Sequence, residues 1–185
     1  MSVYFETGRL LLRGWRDEDL APFAAMNADE KVMEFYPATI NREDSDALAM
    51  RLQQDMDVIG FGLYAVEVKS TGDFIGYVGI SQVRFPADFA PALEIGWRLA
   101  TDPWGHGYAT EAARACMAHA FSQFEFPALV SFTTRGNTRS IAVMERIGMS
   151  RNPADNFEHP NLPAGHPLRP HVLYRISDPD RSAGP

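Results

Sequence analysis

The sequence predicts one α/β domain, and three observations carry that expectation. Strand-like runs and helically periodic runs alternate along the 185 residues. A short polar segment joins two of the strand runs with turn chemistry. Another strand run leads, within a few residues, to two glycines one position apart, which open directly into an amphipathic helix. No repeat, low-complexity tract or linker divides the chain, so residues 1–185 are expected to form a single domain large enough to bury a core.

Arg9-Leu10-Leu11-Leu12-Arg13 reads as a short buried strand. Asp17 to Asn27 begins with helix-favouring acids and carries apolar residues at helical spacing. A second helix is expected over Asp44 to Val58, with a break at Gly60 and Gly62. Two strand runs follow, Leu63–Val68 and Phe74–Ile80, and Lys69-Ser70-Thr71-Gly72-Asp73 between them reads as a hairpin turn. Leu93–Leu99 is the next strand, and a helix is expected over about 107–123. The apolar stripe of that helix includes Ala109, Ala112, Ala113, Cys116, Met117, Ala120, Phe121 and Phe124. Phe126-Pro127 stops it, and Leu129–Thr133 resumes as strand. Asn137 stands where an N-cap belongs, ahead of a helix over Ser140–Ile147 that Gly148 ends. Residues 152–170 read as a loop rich in proline and histidine, and His171–Ile176 as the final strand.

Composition narrows the function classes. Apolar residues at 45% and charged residues at 22% are ordinary for a soluble globular protein. No apolar stretch approaches the roughly 20 residues needed to cross a bilayer, and the start of the chain lacks the layout of a signal peptide. The single cysteine, Cys116, cannot form an internal disulfide, which suits a reducing cytoplasm; on its apolar stripe it reads as core filler. Of the net charge of −7, residues 1–60 contribute −6, from twelve acids and six bases. No basic nucleic-acid footprint is present. Two readings of the acidic half stand side by side: attraction of a cationic amine, or ordinary solvated helix faces.

Gly105 and Gly107 carry the sharpest chemical signal. A helix N-terminus presents backbone N–H groups without partners and partial positive charge, and glycine lets an anion approach the backbone closely. That suits a phosphate or pyrophosphate. A dinucleotide site of the Gly-x-Gly-x-x-Gly type competes, but Thr110 stands at its third glycine, and the motif falls late in the chain instead of in a first βαβ unit.

The ordered set of Thr7-Gly8-Arg9-Leu10-Leu11-Leu12-Arg13 with Asp19-Leu20, then Glu94-Ile95-Gly96-Trp97, then Trp104-Gly105-His106-Gly107-Tyr108-Ala109-Thr110-Glu111-Ala112, then Asn137 through Ser140 to Gly148-Met149, resembles the GNAT acyl-CoA N-acyltransferases. Within them it looks most like the branch of the ribosomal-protein N-terminal acetyltransferases. The resemblance implies a mixed, mostly antiparallel sheet flanked by helices, splayed between the fourth and fifth predicted strands to admit acetyl-CoA. It implies that backbone N–H groups from Gly105, His106, Gly107, Tyr108, Ala109 and Thr110 hold the coenzyme pyrophosphate. It also implies that Trp97, Arg98 and Leu99 line the coenzyme with their strand, and that Asn137 touches the coenzyme arm. Asp102 departs from the Gln or Arg often found three residues before the first glycine, removing one cationic contact.

The implied reaction is direct acetyl transfer to a primary amine, with a protein or peptide N-terminus as the first choice of acceptor. A polyamine, an aminoglycoside or an amino acid is the alternative, and a non-catalytic CoA-binding module is a further one. Glu94 is the expected general base, set against a structural pairing with Arg98 or Arg13. Ser140 is the expected donor to the departing thiolate, because Met144 occupies the position where many relatives carry a tyrosine acid. The histidines at 159, 166 and 171 match no standard metal spacing, so no metal is expected; one of them is a candidate for the acceptor pocket. Neither a nucleic-acid nor a membrane partner is expected, and a homodimer is left open.

Overall fold

The computed structural model describes residues 2–124 and 126–178. The chain runs β1 (Val3–Glu6), β2 (Leu10–Arg13), α1 (Leu20–Ala28), α2 (Arg42–Ile59), β3 (Leu63–Val68), β4 (Phe74–Gln82), β5 (Leu93–Leu99), α3 (Tyr108–Phe124), β6 (Ala128–Thr134), α4 (Thr138–Arg146), β7 (Ser150–Arg151), β8 (Phe157–Glu158) and β9 (Pro170–Ser177). The strands form one sheet in the order β1-β2-β3-β4-β5-β6-β9-β7, with β8 beside β9. The pairings are antiparallel except for β5 against β6, which is parallel. This is the expected α/β architecture with a mixed, mostly antiparallel sheet.

The fourth and fifth predicted strands are β5 and β6, and the sheet opens between them. β4 and β5 pair at seven positions, whereas β5 meets β6 at one, Glu94 opposite Val130. Beyond Glu94 the β5 edge has no strand partner on that side, so its main-chain groups face a gap. Backbone donors left without partners inside a protein are costly, which makes such a gap a ready ligand seat.

Local chemistry explains most element ends. The Asn41 side chain accepts from the Asp44 N–H and caps α2, which therefore starts two residues earlier than expected. Gly60, at φ 87°, ends it in the left-handed conformation. The hairpin at 69–73 closes through the Gly72 N–H on the Val68 carbonyl at 2.8 Å. Residues 17–19 form a 3-10 turn, so the first helix begins only at Leu20.

The core includes Leu10, Leu12, Phe23, Tyr64, Val66, Val78, Ile80, Ile95 and Leu129, all at most 2% exposed. Ala112, Ala113, Cys116 and Ala120 form the buried stripe of α3, and their small size lets this helix lie close on the sheet. Three elements were not anticipated. β1 is a four-residue strand whose Tyr4 and Phe5 rings pack about 5 Å from the buried Tyr64 ring. β7 and β8 have two residues each and exist only by pairing with β9, β8 lying within the expected 152–170 loop. Such short strands carry no period of their own. Among the described residues no helix is long and apolar enough to cross a membrane.

Candidate active site

The gap between β5 and β6 continues into a groove of about 1330 Å³ that reaches the start of α3 and α4. Trp97, Arg98, Leu99, Gly105, Gly107, Tyr108, Ala109, Thr110, Asn137 and Ser140 all line it, although they come from three separate stretches of the chain. His106 and Glu94 are the sequence-proposed residues outside that lining. His106 lies in the same turn, its ring near the carbonyls of Pro103 and Trp104.

The turn is built as its glycines require. Gly105 has φ 84° and Gly107 φ 79°, a region that side chains with a Cβ rarely adopt. A Cβ at Gly105 would meet nothing within 4 Å, so backbone conformation, and not crowding, selects glycine there. The Gly107 carbonyl accepts from the Glu111 N–H, which closes the first turn of α3 and leaves the N–H groups before it without helical acceptors.

Sequence reasoning missed what holds this turn in place. Arg9 donates to the His106 carbonyl at 3.0 Å and to Glu111 Oε2 at 2.6 Å, and its guanidinium lies 4.6 Å from the Tyr108 ring. The Thr7 hydroxyl donates to Glu111 Oε1 at 2.6 Å. Burial pulls the Glu111 carboxyl upward, but the Thr7 and Arg9 hydrogen bonds outweigh it and hold it below its ordinary value. Thr7-Gly8-Arg9 and Glu111 are therefore one structural device spanning 104 residues of sequence.

The groove is positively charged in a chain that is acidic overall. Arg9, Arg98, Arg114, Arg139 and Arg146 line it against Glu6 and Glu111. Arg139 pairs with Glu34 at 2.6 Å and packs 4.5 Å from the Trp104 ring. Arg114 donates to the Arg146 carbonyl and has no carboxylate partner among the described residues. An arginine-lined groove that ends at a helix N-terminus with glycine conformations fits the phosphates of coenzyme A. It also shows where part of the acidic half of the chain goes: Asp19, Asp46 and Asp55 are paired with arginines away from the groove, and Glu34 with Arg139 at its edge.

Asn137 caps α4, its Oδ1 accepting from the Ser140 N–H at 3.2 Å while its Nδ2 donates to Thr133 Oγ1 at 3.0 Å. Across the gap, the Trp97 indole N–H donates to Ser140 Oγ at 3.2 Å. The serine oxygen is thus an acceptor in this bond, and its own hydrogen is left to donate. Met144 is 1% exposed in the core and has no proton to give.

Strand alternation places Glu94, Gly96 and Arg98 on one face of β5, opposite Ile95, Trp97 and Leu99. Glu94 is half-buried and has no hydrogen bond or ion pair with any described residue. The alternative, a structural pairing with Arg13 or Arg98, is absent: Arg13 is bound to Asp19 and Glu67, and Arg98 to Asn27. Burial without compensation pushes the Glu94 carboxyl up to about 8. Val130 stands opposite Glu94, and Phe132 lies two residues further on the same face of β6. Around Phe132 gather Phe85, Phe89, Phe157, His159 and His171, with the two imidazoles 5.0 Å apart. Burial lowers the His171 imidazole, and burial with the neighbouring His171 lowers that of His159. His166 is not in this cluster; its Nδ1 accepts from the Leu168 N–H.

An open sheet with one parallel pairing, a glycine turn at a helix start and an arginine-lined groove define a coenzyme A-dependent acyltransferase. Residues 9–150 match the acetyltransferase (GNAT) domain model, and the chain belongs to this family. It is 35% identical to YkkB, an uncharacterized protein of Bacillus subtilis, over 77% of this chain and 83% of that one. A solved acetyltransferase from Agrobacterium tumefaciens is similar at 27% identity and a TM-score of 0.73, covering 96% of this chain and 99% of its own. A ribosomal-protein-S5-alanine acetyltransferase from Vibrio fischeri shares the fold, with a TM-score of 0.75 at 18% identity over 97% and 98% of the two chains. The protein is thus an N-acetyltransferase that uses acetyl-CoA.

Proposed function

We propose that this enzyme acetylates a primary amine with Glu94 as the general base, and that the amine is the N-terminus of a peptide or protein. The observation that carries the base assignment is the unpaired, half-buried Glu94 carboxyl at about 8, close to the pH at which an amine must lose its proton. Bound acetyl-CoA supplies the acetyl group as an activated thioester. The protein holds its phosphates with the backbone N–H groups of residues 105–110 and the groove arginines. The free β5 edge at Trp97–Leu99 orients the acyl arm through main-chain donors. Glu94 takes the proton from the incoming ammonium. The neutral amine then attacks the thioester carbonyl carbon and the C–S bond breaks. The departing thiolate accepts a hydrogen bond from the Ser140 hydroxyl, whose oxygen accepts from Trp97, and takes the second amine proton.

Support for a peptide acceptor comes from the ribosomal-type motif set and from the fold shared with the V. fischeri enzyme, whose name assigns it an alanine of a ribosomal protein. A small-molecule amine is the second reading; the buried cation Arg98 on the Glu94 face suits one that also carries a carboxylate, such as an amino acid. The test is free-thiol release from acetyl-CoA against a panel of N-terminal peptides, amino acids, polyamines and aminoglycosides, with coenzyme affinity measured separately. Glu94→Gln should bind coenzyme normally and lose about 10²- to 10⁴-fold in turnover, the range expected for a lost general base. Unchanged turnover in this variant would remove the base assignment.

A further inference from the structure

Arg98 is 9% exposed and lines the groove, yet among the described residues it has no carboxylate partner. Its guanidinium donates to Asn27 Oδ1 at 2.7 Å, shares a hydrogen bond with Tyr36, whose ring centre is 4.1 Å away, and lies 5.5 Å from the centre of the Tyr77 ring. Its Nε hydrogen has no acceptor among the described residues. A buried charge without a counter-charge is costly, and a buried donor left empty adds to the cost. The stacked tyrosine covers a face of the planar group and Asn27 takes part of its rim. The remaining rim is shaped for a bidentate anion.

The position selects which anion. Arg98 shares its face of β5 with Glu94 and is turned away from Trp97, which contacts Ser140 on the other side of the strand. The coenzyme phosphates already have the glycine turn, Arg9, Arg114, Arg139 and Arg146. Between Glu94 and Arg98 lies Gly96, where a Cβ would meet only Glu94 Oε1 at 3.7 Å, so the floor between acid and cation is open. Their Cα atoms are about 13 Å apart at a strand rise of ~3.3 Å per residue, and both side chains are long enough to narrow that gap to a few bonds' length.

We propose that Arg98 binds a carboxylate on the acceptor, so that the preferred acceptor is an amine that also carries a carboxylate a few bonds away. The inference rests on the acetyl-transfer reading above. Two sources share this chemistry: the α-carboxylate of a free amino acid, and an acidic side chain beside the N-terminus of a peptide.

The experiment compares acceptors that differ only in carboxylate against carboxamide: amino acids with their amides in one arm, and peptides beginning Ala-Asp with those beginning Ala-Asn in the other. The wild-type enzyme should favour the carboxylate by tenfold or more in kcat/KM, after correction for amine protonation, in at least one arm. That arm identifies the source. Arg98→Gln should bring the ratio to about one, and Arg98→Lys should keep part of it. The ratio is read, not the rate, because Arg98 also lines the coenzyme groove. Equal wild-type use of both partners in both arms overturns the proposal, as does a preference that survives Arg98→Gln. If Arg98→Gln does not fold, the wild-type ratio and Arg98→Lys still decide. If no acceptor is turned over, the acetyl-transfer reading fails separately. Calorimetric binding of N-acetyl amino acids against their amides to the coenzyme A-loaded protein then tests Arg98 alone, equal affinities overturning the proposal.

Discussion

Two buried arginines lie in one cross-sheet row, and they have opposite surroundings. Arg13 on β2, Ala65, Tyr77 and Arg98 on β5 are successive register partners across four strands. Arg13 is 2% exposed and meets Asp19 through two N–H groups at 2.7 and 2.8 Å, Glu67 at 2.7 Å and the Gly14 carbonyl at 3.0 Å. Arg98 has the Asn27 amide oxygen, the hydroxyl-bearing rings of Tyr36 and Tyr77, no carboxylate among the described residues, and an Nε without a partner there. The closed end of the sheet balances its charge internally, which fixes geometry. The end beside the gap leaves both a cation and an acid, Arg98 and Glu94, without an oppositely charged partner among the described residues. Perturbed ionisable groups without charged partners beside a cleft mark a candidate functional site.

The largest effect expected from that contrast is on stability at Arg13. Arg13→Met should cost about 3–5 kcal/mol, because it strands Asp19 and Glu67 in the interior. Arg98→Met should cost about 1–2 kcal/mol, since it strands no carboxylate and leaves only the neutral Asn27 and Tyr36 oxygens without it. Urea denaturation of both variants reads the difference; equal losses would break the comparison.

Glu94 sharpens the comparison through pH. Its folded value, about 8, lies above its ordinary 4.5, so the folded protein holds a proton that the unfolded chain has released between those values. Its contribution to stability therefore falls as pH rises from about 4.5 to 8. Stability of the wild type relative to Glu94→Gln should decline across that window and level off above it, and wild-type kcat/KM should rise with a limb near pH 8. A flat difference curve would show that the carboxyl is partnered in solution.

The turn beside the open end should respond in function more than in stability. Glu111→Ala removes the anchor shared by Thr7 and Arg9, so the KM for acetyl-CoA should rise about tenfold while folding loses at most about 1 kcal/mol, the Arg9 side chain being half exposed. Gly105→Ala should cost about 1 kcal/mol from its positive φ alone, with no steric loss because the space is empty. Melting temperature and coenzyme titration of these two variants check both values.

Much of the architecture was legible because its signals are local. The α3 stripe, the hairpin at 69–73, the Asn137 cap and the Gly105–Gly107 turn each follow from spacing and from glycine or cap chemistry within a few residues. Trp97–Leu99, Gly105, Gly107–Thr110, Asn137 and Ser140 of the groove lining stand in an ordered motif set, whereas Val32, Phe35, Tyr36 and Arg114, which also line it, carry no such signal. β1, β7 and β8 were not legible, because a strand of two to four residues has no period and is stabilised by its neighbour.

The chain alone thus specified its fold class and coenzyme, through glycine conformations, helix caps and apolar periods that act over a few residues. Tertiary structure decided the rest: that Glu111 answers to Thr7 and Arg9, and that among the described residues Glu94 finds no arginine and Arg98 no carboxylate. Those facts depend on which distant side chains the sheet register brings within hydrogen-bond reach. Spacing along the chain does not encode that reach; the order and register of the strands do.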